Sequence, residues 1–174
     1  MPSFGNLSGL RVVVTGSSTG IGRAIALELA AAGADVVVHC HQSVQQANQV
    51  ASEILTSGRH SAVIQGDVAD AENLDQLVDT AWEALGGVDV WVNNAGVDLL
   101  TGDKAKLPYA EKLDALLDVD VRSAVLLSKM VGERMVVQGG GTILNIGWDQ
   151  SDRGMGGDSG ELFAVKTGDS KTLF

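Results

Sequence analysis

Apolar positions along this chain follow two alternating rhythms. Leu10 to Val14 is a short β-branched run that stops at Thr15-Gly16, the pattern of a buried strand ending in a turn. Ile21, Ala24, Ile25, Leu29 and Ala32 then recur at helical spacing, and Gly33 closes the stretch. Asp35 to Cys40 reads as a second strand, followed by a stripe of Ala47, Val50, Ala51 and Ile54 that ends near Gly58. Ser61 to Gln65 reads as a third strand, with Leu74, Leu77, Val78 and Ala81 as the next stripe up to Gly86-Gly87. Val88 to Val92 makes a fourth strand. A longer helix is predicted through Leu113, Leu116, Leu117, Ala124, Leu127 and Val131, and Gly139-Gly140-Gly141 separates it from a fifth strand, Thr142 to Ile146. The strands are apolar throughout rather than alternating, as a parallel sheet with helices on both faces requires. The expectation is an α/β, doubly wound, mostly parallel sheet of about five strands.

After Gly147 the rhythm fails. Glycines crowd at 154, 156, 157 and 160, and the stretch from Thr167 to Phe174 supports neither period. The chain is therefore expected to form one domain over 1–174, with 149–174 irregular or incomplete. A length of 174 residues suits one sizeable core. The 45% apolar and 20% charged content belongs to a globular protein rather than a disordered one.

Charge narrows the partners. The net charge is −10 and the twelve Lys and Arg are scattered, so a nucleic-acid backbone would be repelled over most of the surface. No apolar run approaches the roughly 20 residues of a membrane helix, and the start shows no basic region followed by an apolar block. No membrane association and a cytoplasmic location are expected. The single cysteine, Cys40, cannot form an internal disulfide and reads as a small buried hydrophobe.

Chemistry concentrates in Thr15-Gly16-Ser17-Ser18-Thr19-Gly20-Ile21-Gly22, between the first strand and the first helix. Gly16 permits a tight turn, Gly20 lets the backbone approach a phosphate, Gly22 allows close packing, and Ser17 and Ser18 add hydroxyl donors. A pyrophosphate would meet the helix N-terminus there.

With these residues the chain resembles the short-chain dehydrogenase/reductase family, whose fingerprint is Thr-Gly, three residues, then Gly-x-Gly. Asp67-Val68 after the third strand resembles the family's adenine-contacting pair, and Asn93-Asn94-Ala95-Gly96 after the fourth resembles its structural and cofactor-lining segment. The resemblance covers roughly residues 8 to 166. It implies a Rossmann-like fold with strand order 3-2-1-4-5, a nicotinamide dinucleotide cofactor, and a carbonyl or alcohol substrate exchanging hydride. The implied cofactor contacts are Gly16, Ser17, Ser18, Gly20, Ile21, Gly22, His41, Asp67, Val68, Asn93, Ala95 and Gly96.

The end of the second strand, His39-Cys40-His41, lacks the acid that would hold a ribose 2′-hydroxyl and repel a 2′-phosphate, so NADP is slightly preferred over NAD. His41 is a modest phosphate partner, and both histidines read equally well as ordinary, partly exposed polar residues.

The catalytic pattern is where this sequence departs from the resemblance. Trp148 stands where the family's Ser is expected. Leu162 or Phe163 stands where its Tyr is expected, four residues before Lys166, and Asp120 replaces its relay Asn. Only Lys166 matches a catalytic position, and it also reads as a solvated surface lysine. Tyr109, the sole tyrosine, follows Pro108 at a helix start; Ser151 and Ser159 are the nearest spare hydroxyls.

Two outcomes stay open at this point: an oxidoreductase of this type, impaired or inactive, and a non-catalytic nucleotide-binding or interaction protein derived from one. The family's distal strands are also expected to be missing. That would leave the fifth strand with an unpaired edge, apolar at Ile143, Leu144 and Ile146, and the preceding helix, at Leu116, Leu117, Ala124 and Leu127, partly bare, and self-association or a homo-oligomer would follow.

Overall fold

The structure is a computed structural model that describes residues 5–99 and 101–147. Five parallel strands form one sheet: β1 Arg11–Val14, β2 Asp35–Cys40, β3 Ser61–Gln65, β4 Val90–Asn93 and β5 Thr142–Asn145. Their order is β3-β2-β1-β4-β5, as the sequence predicts. Register is set by in-line pairs such as Val13 with Val37 and Trp91, and Val92 with Leu144. The helices are α1 Gly20–Ala31, α2 Val44–Thr56, α3 Leu74–Leu85, α4 Tyr109–Leu116 and α5 Ser123–Gln138, with a 3₁₀ turn at Asp103–Lys106.

Strand side chains alternate between two cores. Val12, Val14, Val36, Val38, Cys40 and Val92 face α1 and α2, while Val13, Val37, Ile64 and Trp91 face α3 and α5. The stripes foreseen on α2 and α3 are the buried ones, residue for residue. On α1 they are not. Gly22, Ala26 and Ala30 face the sheet, while Ile21 and Ala24 are exposed. The three small residues allow the helix to lie close to strands whose valines already fill the space, so the contact face of α1 carries little bulk.

The predicted single long helix is a composite. Between α4 and α5, Leu117–Arg122 winds as a π-helix, a widening that recurs at functional sites. Here it turns Asp120 inward, where its Oδ1 accepts the Val97 amide at 2.9 Å. The fourth strand begins at Val90 rather than Val88, because Val88 and Asp89 are engaged sideways. Val88 exchanges bonds with the Gln138 side chain. Asp89 grips Arg11 through Nε at 2.9 Å and Nη2 at 2.8 Å, while Arg11 Nη1 donates to the Gly86 carbonyl at 2.6 Å. This bidentate pair holds the Asp89 carboxyl below the usual carboxylate range, chiefly through the side-chain hydrogen bonds from Arg11. It also explains Gly87, where a Cβ would sit 2.1 Å from Arg11 Nη1.

The apolar edge foreseen on the fifth strand is there, and the bare patch foreseen on the helix lies at other residues. Leu116, Ala124 and Leu127 are buried, while Val125, Val136 and Val137 of α5 are exposed. On β5, Leu144 and Ile146 are 47% and 37% exposed, on the face that α1 does not reach. Ile143, pointing the other way, packs into the α3/α5 core. With the outer edge of β5 also unpaired among the described residues, we predict that the chain self-associates. Leu144→Lys is expected to shift it toward monomer in light scattering across a concentration series; a concentration-independent monomer for the unmodified chain would contradict this.

Candidate functional site

The carboxyl ends of β1, β2, β3 and β4 meet at one rim, and the glycine turn crosses it. The turn leaves a buried strand and enters a helix within five residues, so its amide protons must find acceptors at the rim. Thr15 supplies one. Its Oγ1 accepts the amides of Asn94 and Ala95, both at 2.9 Å, and donates to the Val92 carbonyl at 3.3 Å. Asn94 returns the contact through Nδ2, donating to the carbonyls of Thr15 at 2.8 Å and Gly16 at 3.3 Å. The Asn93–Gly96 segment thus clamps the glycine turn.

The glycines act as their spacing suggests, with one refinement. Gly16 has φ +63°, and a Cβ there would lie 2.9 Å from Ala95 Cα. At Gly22 a Cβ would strike Asn94 Nδ2 at 2.4 Å and the Gly16 carbonyl oxygen at 2.5 Å, so this residue is small to fit the turn and its clamp rather than a strand. Gly20 differs from both. Its φ is +56°, yet a Cβ would meet nothing within 4 Å. The space above Gly20 is open, and α1 begins there with no acidic residue in its first turn and no side-chain cap from Thr19. Free first-turn amides at the positive end of a helix form an anion site.

Ser17 is committed elsewhere. Ser17 Oγ donates to the Val14 carbonyl at 2.7 Å and accepts the His39 amide at 3.0 Å, and Ser18 is buried. Ser17 therefore shapes the turn instead of offering a donor. Ile21, 69% exposed, presents an apolar surface beside the opening. Asn93 is occupied too: Oδ1 accepts from Trp91 Nε1 at 2.8 Å, and Nδ2 donates to Ser128 Oγ at 3.0 Å and Asn145 Oδ1 at 2.8 Å, which ties β4 to α5 and β5. Ala95 and Gly96 are the parts of this segment closest to open surface, Gly96 being exposed.

At the β3 end, Asp67 Oδ1 accepts the Ala69 amide at 2.9 Å, leaving Oδ2 outward, and Val68 sinks its side chain into the core. His41 is half-exposed, with Nε2 3.5 Å from Asp67 Oδ2.

His39 departs from its reading as a partly exposed polar residue. It is 1% exposed. Nδ1 accepts the Gly16 amide at 2.9 Å, and Nε2 lies 3.2 Å from the Gly66 carbonyl. The signal for this burial is its place in a strand covered on both faces, with every residue from Val36 to Cys40 buried. Burial pushes the ring well down, to about 4, against a smaller opposing effect of the Gly66 carbonyl.

Trp148, Asp149, Ser151, Ser159, Leu162, Phe163 and Lys166, with the segment 149–174, lie outside the described residues. Tyr109 opens α4 and is 38% exposed.

The sequence pattern of the short chain dehydrogenases matches residues 11–159. The chain belongs to this family. A 3-oxoacyl-[acyl-carrier-protein] reductase of Synechocystis is 39% identical over 150 residues, which cover 86% of this chain and 58% of that one. A short chain dehydrogenase from Burkholderia cenocepacia, solved in complex with NADP, superposes with a TM-score of 0.82 at 34% identity, covering 95% of this chain and 65% of the other. A 7α-hydroxysteroid dehydrogenase complexed with NADH and 7-oxo glycochenodeoxycholic acid gives 0.83 at 32%, covering 95% and 63%. The chain thus spans less than two thirds of each of these relatives. The sheet, its order and its flanking helices are the family's Rossmann-like architecture. Among the described residues no helix is long and apolar enough to cross a membrane.

Because folding lowers the His39 value from 6.5 to about 4, the unfolded chain takes up a proton there that the folded chain refuses. The stabilisation is whole above pH 6.5 and is lost as the pH falls from 6.5 toward 4, by about 3 kcal/mol in all. His39→Gln should lack this component. Urea unfolding across that pH window tests it, and equal pH slopes for the two proteins would contradict it.

Proposed function

We propose that this chain is the nucleotide-binding domain of an NAD(P)-dependent oxidoreductase, holding the dinucleotide across the Gly16–Gly22 turn. The observation that carries the reading is the open space above Gly20, at an uncapped helix start whose turn is locked from three sides by Thr15, Asn94 and His39. The backbone amides of the turn and first helical residues would hold the pyrophosphate. The Asp67 carboxylate and the Val68 backbone would hold the adenine, and Ile21, Ala95 and Gly96 would line the path toward the nicotinamide. When bound, the cofactor supplies hydride exchange with a carbonyl or alcohol. The residues described here bind and orient; they do not move the proton.

NADP is the preferred form, because no acid at the end of β2 repels a 2′-phosphate and exposed His41 stands beside the adenine end. Asp67 at 3.5 Å from His41 works against a second negative charge, which keeps the preference slight.

Catalysis is proposed to be impaired, with a non-catalytic nucleotide-binding role as the alternative. The sequence supports this: Trp148 occupies the expected Ser position, Leu162 or Phe163 the Tyr position, and only Lys166 keeps a catalytic identity. An indole donates but cannot accept, and neither Leu nor Phe has a proton to exchange. General acid catalysis typically supplies on the order of 10²–10⁴ in rate.

Titrating the purified chain with NADPH and NADH, by cofactor fluorescence, is expected to show binding of both with NADPH favoured. Gly20→Val fills the open space and forces a β-branched residue to positive φ. It should weaken binding about a hundredfold, and unchanged affinity would remove the site. Carbonyl panels read by nicotinamide absorbance are expected to give no appreciable turnover, and robust turnover would refute the impairment.

A further inference from the structure

We infer that His39 is a positioning residue, a buried strut that fixes the pyrophosphate turn and the adenine turn relative to one another. This rests on the dinucleotide reading of the glycine turn but concerns a residue that would not touch the cofactor.

The assignment follows from what each neighbour can do. The Gly16 amide can only donate, so His39 Nδ1, at 2.9 Å, must be the unprotonated nitrogen. The Gly66 carbonyl can only accept, so Nε2, at 3.2 Å, must carry the proton. Opposite partners on opposite sides of one ring leave a single tautomer, neutral and Nε2-protonated. The backbone of the same residue reinforces the grip: its carbonyl accepts the Ser17 amide at 2.9 Å and its amide donates to Ser17 Oγ at 3.0 Å. Gly16 and Ser17 are therefore held by one residue of the neighbouring strand.

On the far side, Gly66 immediately precedes Asp67. It is fixed a second time by its own amide, which donates to the Cys40 carbonyl at 3.0 Å, and a Cβ on it would meet Leu77 Cδ1 at 2.8 Å. A ring that holds the start of one turn and the end of the strand feeding the other sets the distance a dinucleotide must span. Removing the ring would leave the buried Gly16 amide without an acceptor and free the two turns to shift apart.

The charged and titratable neighbours are His41 and Cys40 on its own strand and Asp67 at the β3 end. The turn from Thr15 to Gly22 contributes none. A desolvated ring in this setting stays neutral through the physiological range, so the strut does not switch with pH there.

Two measurements on the full chain test the inference. The first is the imidazole ¹⁵N spectrum of the unliganded protein. It should show a pyridine-like Nδ1 and a pyrrole-like Nε2 for His39, unchanged from pH 8 to pH 5.5. An Nδ1-protonated ring, or titration near pH 6.5, would overturn the strut. The second compares NADPH affinity and Gly16 amide exchange in His39→Leu and His39→Gln. His39→Leu is expected to lose about tenfold in affinity and to expose the Gly16 amide to exchange, while core amides such as Val37 keep their protection. His39→Gln, which offers an acceptor and a donor, should recover most of both. Leu at this site binding NADPH as tightly as His, in a folded protein, would overturn the inference. If His39→Leu does not fold, the Gln variant decides: a loss as large as that of His39→Asn, too short to span both carbonyl and amide, would count against the strut. A native protein with the predicted tautomer that binds no dinucleotide would sink the site reading and leave the strut standing.

Discussion

Everything at the rim depends on satisfying the amide protons of a turn that has no room for side chains. A strand buried on both faces must become a helix within five residues, and the glycines that permit this bring no hydrogen-bonding groups of their own. The partners come from neighbours in space: an imidazole and a carbonyl one strand over accept the turn's amides, an amide side chain just past the fourth strand donates to its carbonyls, and the turn's own threonine hydroxyl accepts two amides in return. Each acts through its hydrogen-bonding atoms and not through its shape alone. A Val at 15 would keep the shape and lose the two amides. The open face of the turn is what remains once the inner face has been satisfied.

Much of this fold was legible because a parallel sheet between two helix layers leaves a strong imprint. Valine runs such as 12–14 and 36–38, the stripes of α2 and α3, and the glycines after each helix are all dictated by burial or by left-handed caps, and each is local in sequence. The misreadings share a physical cause. The stripe on α1 was sought among large residues, whereas close approach to a valine-rich sheet selects Ala26 and Ala30, and the turn with its Asn94 clamp selects Gly22. The bare strand edge at Leu144 and Ile146 was legible, but on the long helix Leu116 and Leu127 have partners that no local pattern encodes, and the exposed apolar residues there are Val125, Val136 and Val137.

The site divided in the same way. Gly16, Gly20 and Gly22 announce themselves through spacing, since the backbone path demands them. His39 does not, because a histidine between a valine strand and an exposed turn carries no motif; only its place in a strand covered on both faces points to burial. Ser17, a natural candidate to greet a phosphate, instead bonds to Val14 and His39. A hydroxyl's availability is a property of its neighbours, and sequence lists the hydroxyl without them.

The π-helical stretch at Leu117–Arg122 has a bearing on how such a chain can change over generations. A wider turn holds one more residue than an α-turn inside a continuous helix, so an added residue there would be absorbed without breaking the rod. Downstream, α5 keeps its Leu127–Val131–Met135 seam against the sheet. Upstream lie α4 and the 3₁₀ turn before it. Such a joint would let the segment approaching the rim change in length while the scaffold behind it stays in register.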